Sequence, residues 1–289
     1  MRIEVKDLSF SYGSKKDKKR KLALSNVSLL IEEGDFFGII GETGSGKTTF
    51  VQHLNGLIMS KEKSGKIVVG DFDLKDKKAD LKKLRSKIGM VFQYPEYQLF
   101  AETVSLDVAF GVKNFFPEMT EEEVKNTVRS AIETVGLNYA EVKDKSPFEL
   151  SGGQKRRVAI AGVIASKPEI LVLDEPAAGL DPQGKKEFLE LLKRLHGDFV
   201  KTIVIVSHDM NIISEYCNRV AVFKGGKIIR EGAPETVFKD ESAIFNSGLE
   251  LPVVEYLKKR LKDSGKNIDC GTTRAEFTDA VAKRYGGKV

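Results

Sequence analysis

Residues 41–48 read Gly-Glu-Thr-Gly-Ser-Gly-Lys-Thr, a spacing of small residues, one cation and one hydroxyl that suits a phosphate chain. The glycines at 41, 44 and 46 let backbone amides curl around an anion with no Cβ in the way. A helix starting there adds its positive N-terminal end. Lys47 can reach the β and γ phosphates of a nucleotide, and the Thr48 hydroxyl can ligate magnesium. Gly41, Glu42, Thr43, Gly44, Ser45, Gly46, Lys47, Thr48 and Thr49 are therefore the predicted nucleotide-binding segment. The setting fits, because apolar residues 36–40 precede it and a helical pattern to about Leu57 follows.

Three other short apolar runs end in polar groups. Residues 88–92 lead into Gln93, 170–173 into Asp174 and Glu175, and 203–206 into Ser207, His208 and Asp209. Continuous apolar runs of this length are typical of parallel strands buried on both faces. In open α/β sheets, ligands bind beyond the carboxyl ends of the strands. Parallel pairing would therefore bring all four polar groups to one edge. Charge suggests the roles. Asp174 would hold magnesium with Thr48, directly or through water, and Glu175 would polarise an attacking water as general base. Gln93 would touch the metal or orient that water, and His208 would donate to the γ-phosphate. Phosphoryl transfer needs mainly positioning and charge stabilisation, and this set offers both. His53 and His196 read as structural or exposed.

A second helix start points at an anion. In Leu150-Ser151-Gly152-Gly153-Gln154 the serine and glutamine have capping-box spacing, and Lys155, Arg156 and Arg157 follow in the first turns. This LSGGQ element, with GETGSGKT, ILVLDEP, AGLDP and SHD, resembles the ATP-binding-cassette (ABC) ATPases over about residues 2–235. The resemblance implies an α/β fold: a P-loop NTPase domain with a RecA-like core, an antiparallel β subdomain, a helical subdomain, and here a small C-terminal helical extension. It implies a head-to-tail ATPase pair in which Ser151, Gly152, Gly153 and Gln154 close over the partner's ATP. Tyr12 matches the aromatic that stacks on adenine, and Asp181 matches the loop that communicates across the dimer. The implied cofactor is Mg2+, with ATP as substrate.

Gln93 to Phe100, QYPEYQLF, followed by ETV and AFGVKN, is similar to the energy-coupling factor transporters, which import vitamins and metal ions. DEPAAGLDP and PEYQLF look like the second ATPase type of that family's pair, although AFGVKN departs from the expected AFGPKN form. The partners implied are a second related ABC ATPase, a transmembrane coupling protein whose helices lie in a groove formed by residues 94–115, and small substrate-binding membrane subunits. The implied place of work is the cytoplasmic face of the cell membrane, as a peripheral protein.

The rest of the chain must position these groups. Residues 3–10, 24–31 and 66–69 read as strands, the last closing on a Gly70-Asp71 turn. The lysine run 15–21 reads as a solvated hairpin loop. Residues 103–115 look helical, Thr120 and Glu123 form a capping box, and Gly136 stops the helix that follows. Residues of about 94–165 thus form a helical subdomain carrying the signature helix. Asp181-Pro182 opens a helix, and Gly225-Gly226 joins a hairpin. A cassette domain over 1–240 would precede an extension over 241–289. In that tail, Leu251, Val254, Leu257 and Leu261 share a face, as do Phe277, Val281 and Tyr285 after a capping box at Thr273 and Glu276.

The 289 residues, 41% hydrophobic, are enough for one large domain with an appendage. A net charge of +5 on 47 basic and 42 acidic residues gives a mixed surface, and no nucleic acid is expected as a partner. Two distant cysteines fit a reducing compartment with no disulfide framework. The start MRIEVKDLSF has no apolar signal core, and no run is long enough to span a membrane. The rival function is a non-transport cassette ATPase acting on nucleic acid or ribosomes. Such proteins usually carry two cassettes or a long coiled-coil insertion, and this chain has neither.

Overall fold

The computed structural model describes residues 1–13, 22–60 and 65–285. The lysine run read as a solvated loop lies outside them. The described residues form ten strands: β1 Ile3–Phe10, β2 Leu24–Ile31, β3 Phe36–Ile40, β4 Lys66–Val69, β5 Phe72–Asp73, β6 Ile88–Val91, β7 Ile170–Asp174, β8 Thr202–Val206, β9 Arg219–Lys224 and β10 Lys227–Gly232; all but the two-residue β5 follow predicted runs. They form two sheets. One is antiparallel, in the order β2-β1-β4-β5, and the other runs β10-β9-β3-β8-β7-β6.

In the larger sheet every pair from β9 to β6 is parallel, and β10 adds an antiparallel edge. The carboxyl ends of β3, β6, β7 and β8 therefore share one edge, as the apolar runs predicted. These strands are buried on both faces, which is why their sequences do not alternate. Phe37 and Ile39 face the antiparallel sheet, while Phe36 and Ile40 join the core beneath the helices.

Among the described residues, twelve α-helices connect and cover the sheets. The first is α1, Lys47–Leu54, directly after the glycine loop. It stops three residues short of the predicted end at Leu57, because Asn55 leaves helical geometry and Gly56 takes φ +66°. Helix α2, Leu81–Lys87, has only two buried residues and precedes β6. Between β6 and β7 lie α3 Val104–Phe115, α4 Glu121–Thr134, α5 Tyr139–Val142 and α6 Gly152–Ile164. Thr120 and Glu123 make both capping-box bonds, and Gly136 has φ +78° just beyond α4. Helix α7, Pro182–Asp198, precedes β8, and α8, Met210–Tyr216, follows it.

The chain closes with α9 Pro234–Lys239, α10 Glu241–Asn246, α11 Val253–Asp263 and α12 Arg274–Tyr285. The last two remain largely uncovered: α11 buries only Val254 and α12 buries nothing. This segment is tied to α8 by bonds from Val253 N to Asn211 Oδ1 at 3.0 Å and from Thr272 Oγ1 to the Ser214 carbonyl at 3.2 Å. Among the described residues, no helix is long and apolar enough to cross a membrane.

Candidate active site

The glycine loop is shaped by crowding from its own chain. Gly41 sits at φ +149°, where a Cβ would lie 2.3 Å from the Phe223 carbonyl oxygen. Gly46 sits at φ +105°, with the Ala23 carbonyl oxygen 2.5 Å from such a Cβ. Side chains at either place would force backbone apart. Gly46 also serves as N-cap of α1 without a side-chain cap, which leaves the first amides free of an internal acceptor. Lys47 is buried and spans the loop, donating from Nζ to the Gly41 and Glu42 carbonyls at 2.7 and 3.0 Å. Burial pulls its ammonium below the usual pKa, against the opposing charges of Glu175, Asp174 and Glu42.

The carboxylates arrive from β7. Asp174 is its last residue, is buried, and has an Oδ1 with no hydrogen-bond partner among the described residues. Burial pushes its carboxyl up, while a bond from Thr48 and the charge of Lys47 oppose that rise. Glu175 adopts φ +49°, an uncommon conformation for a residue with a side chain, and its amide donates to the Val206 carbonyl at 3.0 Å. Burial also raises the Glu175 carboxyl, partly offset by His208. His208 Nδ1 lies 2.8 Å from Glu175 Oε2, so the two residues predicted to share the γ-phosphate end are in direct contact.

A cavity of about 460 Å³ is lined by Tyr12, Ala23, Thr43, Gly44, Gly46, Lys47, Thr48, Thr49, Gln93, Asp174, Glu175 and His208. Gly41, Glu42 and Ser45 do not line it. Ser45 Oγ is buried without a partner among the described residues, and the Ser45 carbonyl accepts from the Gly226 amide at 2.9 Å. Tyr12 is more than half exposed at the rim, with its hydroxyl 3.0 Å from Thr49 Oγ1. Hollows of about 550 and 630 Å³ occur among the C-terminal helices. They are lined by lysines interleaved with glutamates and aspartates and hold no converging reactive set, so the chemistry points to the 460 Å³ cavity.

Ser151–Gln154 and Asp181 do not line it. Ser151 Oγ accepts from the Gln154 amide at 3.3 Å, and Gln154 Oε1 accepts from the Ser151 amide at 3.0 Å, closing the expected capping box. Ser151, Gly152 and Gly153 are exposed, and among the described residues nothing outside the adjoining backbone lies within 4 Å of a Cβ built on either glycine. Asp181 caps α7 by accepting from the Gly184 amide at 2.9 Å.

One sequence expectation is corrected here. Arg156 and Arg157 do not serve an anion at the start of α6. Arg156 is buried, pairs with both oxygens of Glu96 at 3.2 Å, and donates to the Ala178 carbonyl at 3.1 Å. Arg157 donates to the Val135 carbonyl at 2.7 Å and meets Glu187 at 3.3 Å. The reason is helical geometry, since positions 156 and 157 follow the cap by more than one turn and face the subdomain core. The Arg156–Glu96 pair links the turn Pro95–Gln98, α6 and the loop before Asp181. Another pair missed in the sequence, Lys185–Asp209, ties α7 to the cap of α8. Nothing local signals either pair.

The ABC transporter family model matches residues 24–178, from β2 through the carboxylate pair. The chain belongs to the ABC transporter family. Within it, the chain is 47% identical over 268 residues to an "Energy-coupling factor transporter ATP-binding protein EcfA2" of Clostridium tetani, covering 93% of this chain and 91% of that protein. Among solved structures it is similar to cbiO1 from Clostridium perfringens, described as part of the ABC transporter complex cbiONQ. There the identity is 37% and the TM-score 0.73, over 89% of this chain and 98% of that one. The cassette MJ0796, solved as a dimer in a post-hydrolysis state bound to ADP and Pi, aligns at 31% identity and TM-score 0.70, over 80% and 98% of the two chains. The cassette therefore stands among the ATP-binding subunits of energy-coupling factor transporters, and its activity is ATP hydrolysis. Both resemblances read from the sequence, LSGGQ to the family and QYPEYQLF to the branch, are borne out.

Proposed function

We propose that this cassette hydrolyses ATP in a composite site, its own cavity covered by the signature segment of a second cassette. The carrying observation is the contrast among the glycines. Gly41 and Gly46 are required by their own chain, whereas Gly152 and Gly153 begin a helix with open space where a side chain would stand. Glycine is a poor helix former, and no contact among the described residues requires two of them there. A phosphate approached by backbone from another molecule explains both.

In the cavity, Tyr12 stacks on the base, and the loop amides with Lys47 hold the β and γ phosphates. The orphaned Oδ1 of Asp174, beside Thr48 and Gln93, fits a hard divalent cation such as Mg2+. Bound there, the ion would neutralise phosphate charge. Glu175 takes a proton from the water that attacks the γ-phosphorus as the bond to the ADP oxygen breaks, leaving ADP and phosphate. His208 holds that carboxylate through Nδ1 and donates its other edge to the γ-phosphate. Asp181 and the signature residues Ser151, Gly152, Gly153 and Gln154 face the partner.

Docking to a transmembrane coupling protein is supported by the apolar face around Pro95–Gln98 and α3. Tyr97 is 84% exposed, and Phe100, Leu106 and Phe110 are more than half exposed. The protein then works as a peripheral subunit at the cytoplasmic membrane face, paired with a second, related ATPase and powering uptake of vitamins or transition-metal ions captured by small membrane subunits. Mild-detergent pull-down of the tagged chain from its own membranes tests this. A second ATPase and a polytopic membrane protein should co-purify, and recovery of the chain alone or of ribosomes would overturn the assignment.

A further inference from the structure

Tyr12 stands at the rim of the nucleotide cavity, two residues past the end of β1. Its ring is held from below. The hydroxyl pairs with Thr49 Oγ1 at 3.0 Å. The ring meets Phe10 edge to face, with centroids 4.9 Å apart and planes at 85°. Phe10 in turn meets the His53 imidazole at 4.7 Å and 75°. His53 is fully buried in the last turn of α1, with Nδ1 2.7 Å from the Thr49 carbonyl oxygen. A carbonyl only accepts, so Nδ1 carries the proton. Burial holds the imidazole below its usual pKa, which keeps it neutral and that donor in place near neutral pH.

These contacts close on themselves. They leave α1 at the Thr49 carbonyl, pass through His53, Phe10 and Tyr12, and return at the Thr49 hydroxyl. Thr49 follows Thr48 directly in the first turn of the phosphate-binding helix. The base shelf and the phosphate loop are thus tied to one residue. A leucine or phenylalanine at 53 would fill much of the same space but could not donate to Thr49.

We propose that His53 and Phe10 are positioning residues that preset the Tyr12 ring for the nucleotide base, so that affinity for a base-bearing triphosphate depends on two side chains that never touch it. The inference rests on Tyr12 being the base-stacking residue. A ring already fixed loses less freedom when a base docks on it.

The test compares Mg-ATP with inorganic triphosphate, which has no base, on the full chain and on His53→Leu, Tyr12→Ala and the double variant. ATP should bind about three- to tenfold more weakly to each single variant, the scale of an aromatic contact. Triphosphate affinity should not change, and the double variant should bind ATP no more weakly than Tyr12→Ala. If Tyr12→Ala weakens ATP but His53→Leu does not, the positioning role is overturned and the Tyr12 reading stands. If His53→Leu weakens ATP and triphosphate equally, the effect lies in the phosphate loop and the proposal falls. If Tyr12→Ala leaves ATP binding intact, the stacking reading fails and takes this inference with it. Should His53→Leu not fold, as shown by loss of a cooperative urea melt, Phe10→Leu carries the same test with the same outcomes.

Discussion

The chain carries two helix N-termini suited to phosphate, and they differ in almost every physical respect. The start of α1 is crowded and buried, with Lys47, Asp174, Glu175, His208 and Gln93 converging on one cavity. The start of α6 is bare, its capping box closed on itself and its glycines facing open space. On the proposed reading the first holds and hydrolyses this chain's nucleotide, and the second is approached by the nucleotide of a partner. The difference teaches that a glycine's reason can be read from what its missing Cβ would strike. Where that is the chain's own backbone, as at Gly41 and Gly46, the glycine serves the fold; where it is open space and φ is also ordinary, as at Gly152 and Gly153, a contact outside the chain accounts for it.

The comparison is broken most forcefully at Glu175. Glu175→Gln should leave ATP binding intact and reduce turnover by about 10²-fold or more in the reassembled transporter. Substantial residual hydrolysis would remove Glu175 from the base role. The glycines give the next contrast. Gly41→Ala should lower stability by about 2 kcal/mol or more in denaturant melts and abolish ATP binding, because its Cβ meets the Phe223 backbone. Gly153→Ala should leave stability unchanged or raise it by up to about 1 kcal/mol, yet slow hydrolysis in the assembled pair about tenfold. Equal destabilisation at both positions would erase the distinction.

Smaller effects sharpen it. Ser151→Ala removes the α6 cap and should cost about 1 kcal/mol of stability in the isolated chain. His53 sits on the buried side of the first site, and its depressed pKa gives a pH signature. The unfolded chain takes up a proton below the ordinary value of 6.5 while the folded chain resists, so this stability is present above 6.5 and lost as pH falls. Burial outweighs the bond to the Thr49 carbonyl, which alone would favour the proton. Urea melts of His53→Leu should show a shallower loss below pH 6.5 than the wild type.

Much of the first site was legible because its signals are local. Apolar runs marked strands, the polar residue after each run marked the reactive edge, and glycine spacing marked the loop. All three capping boxes formed as spaced, including Thr273 with Glu276. What escaped was long-range or short. Helices α2 and α8 have seven residues each, too few for a periodic pattern to stand out. The strand order β10-β9-β3-β8-β7-β6 depends on pairings that no local pattern encodes. Arg156 looked like an anion ligand because its sequence neighbours are basic, but its partner Glu96 lies 60 residues away. Phe10 and His53 were likewise invisible as a unit, 43 positions apart in the chain and brought into ring contact only by the fold.

The central claim is that the two helix starts serve different nucleotides, one bound by this chain and one by its partner. The most direct measurement is Mg-ATP affinity of the isolated chain carrying Ser151→Arg, set beside turnover of the transporter reassembled with it. The account predicts affinity within about twofold of the wild type and hydrolysis at the covered partner site reduced by about 10²-fold. A loss of ATP affinity in the isolated chain would contradict it, because the signature would then belong to the chain's own site.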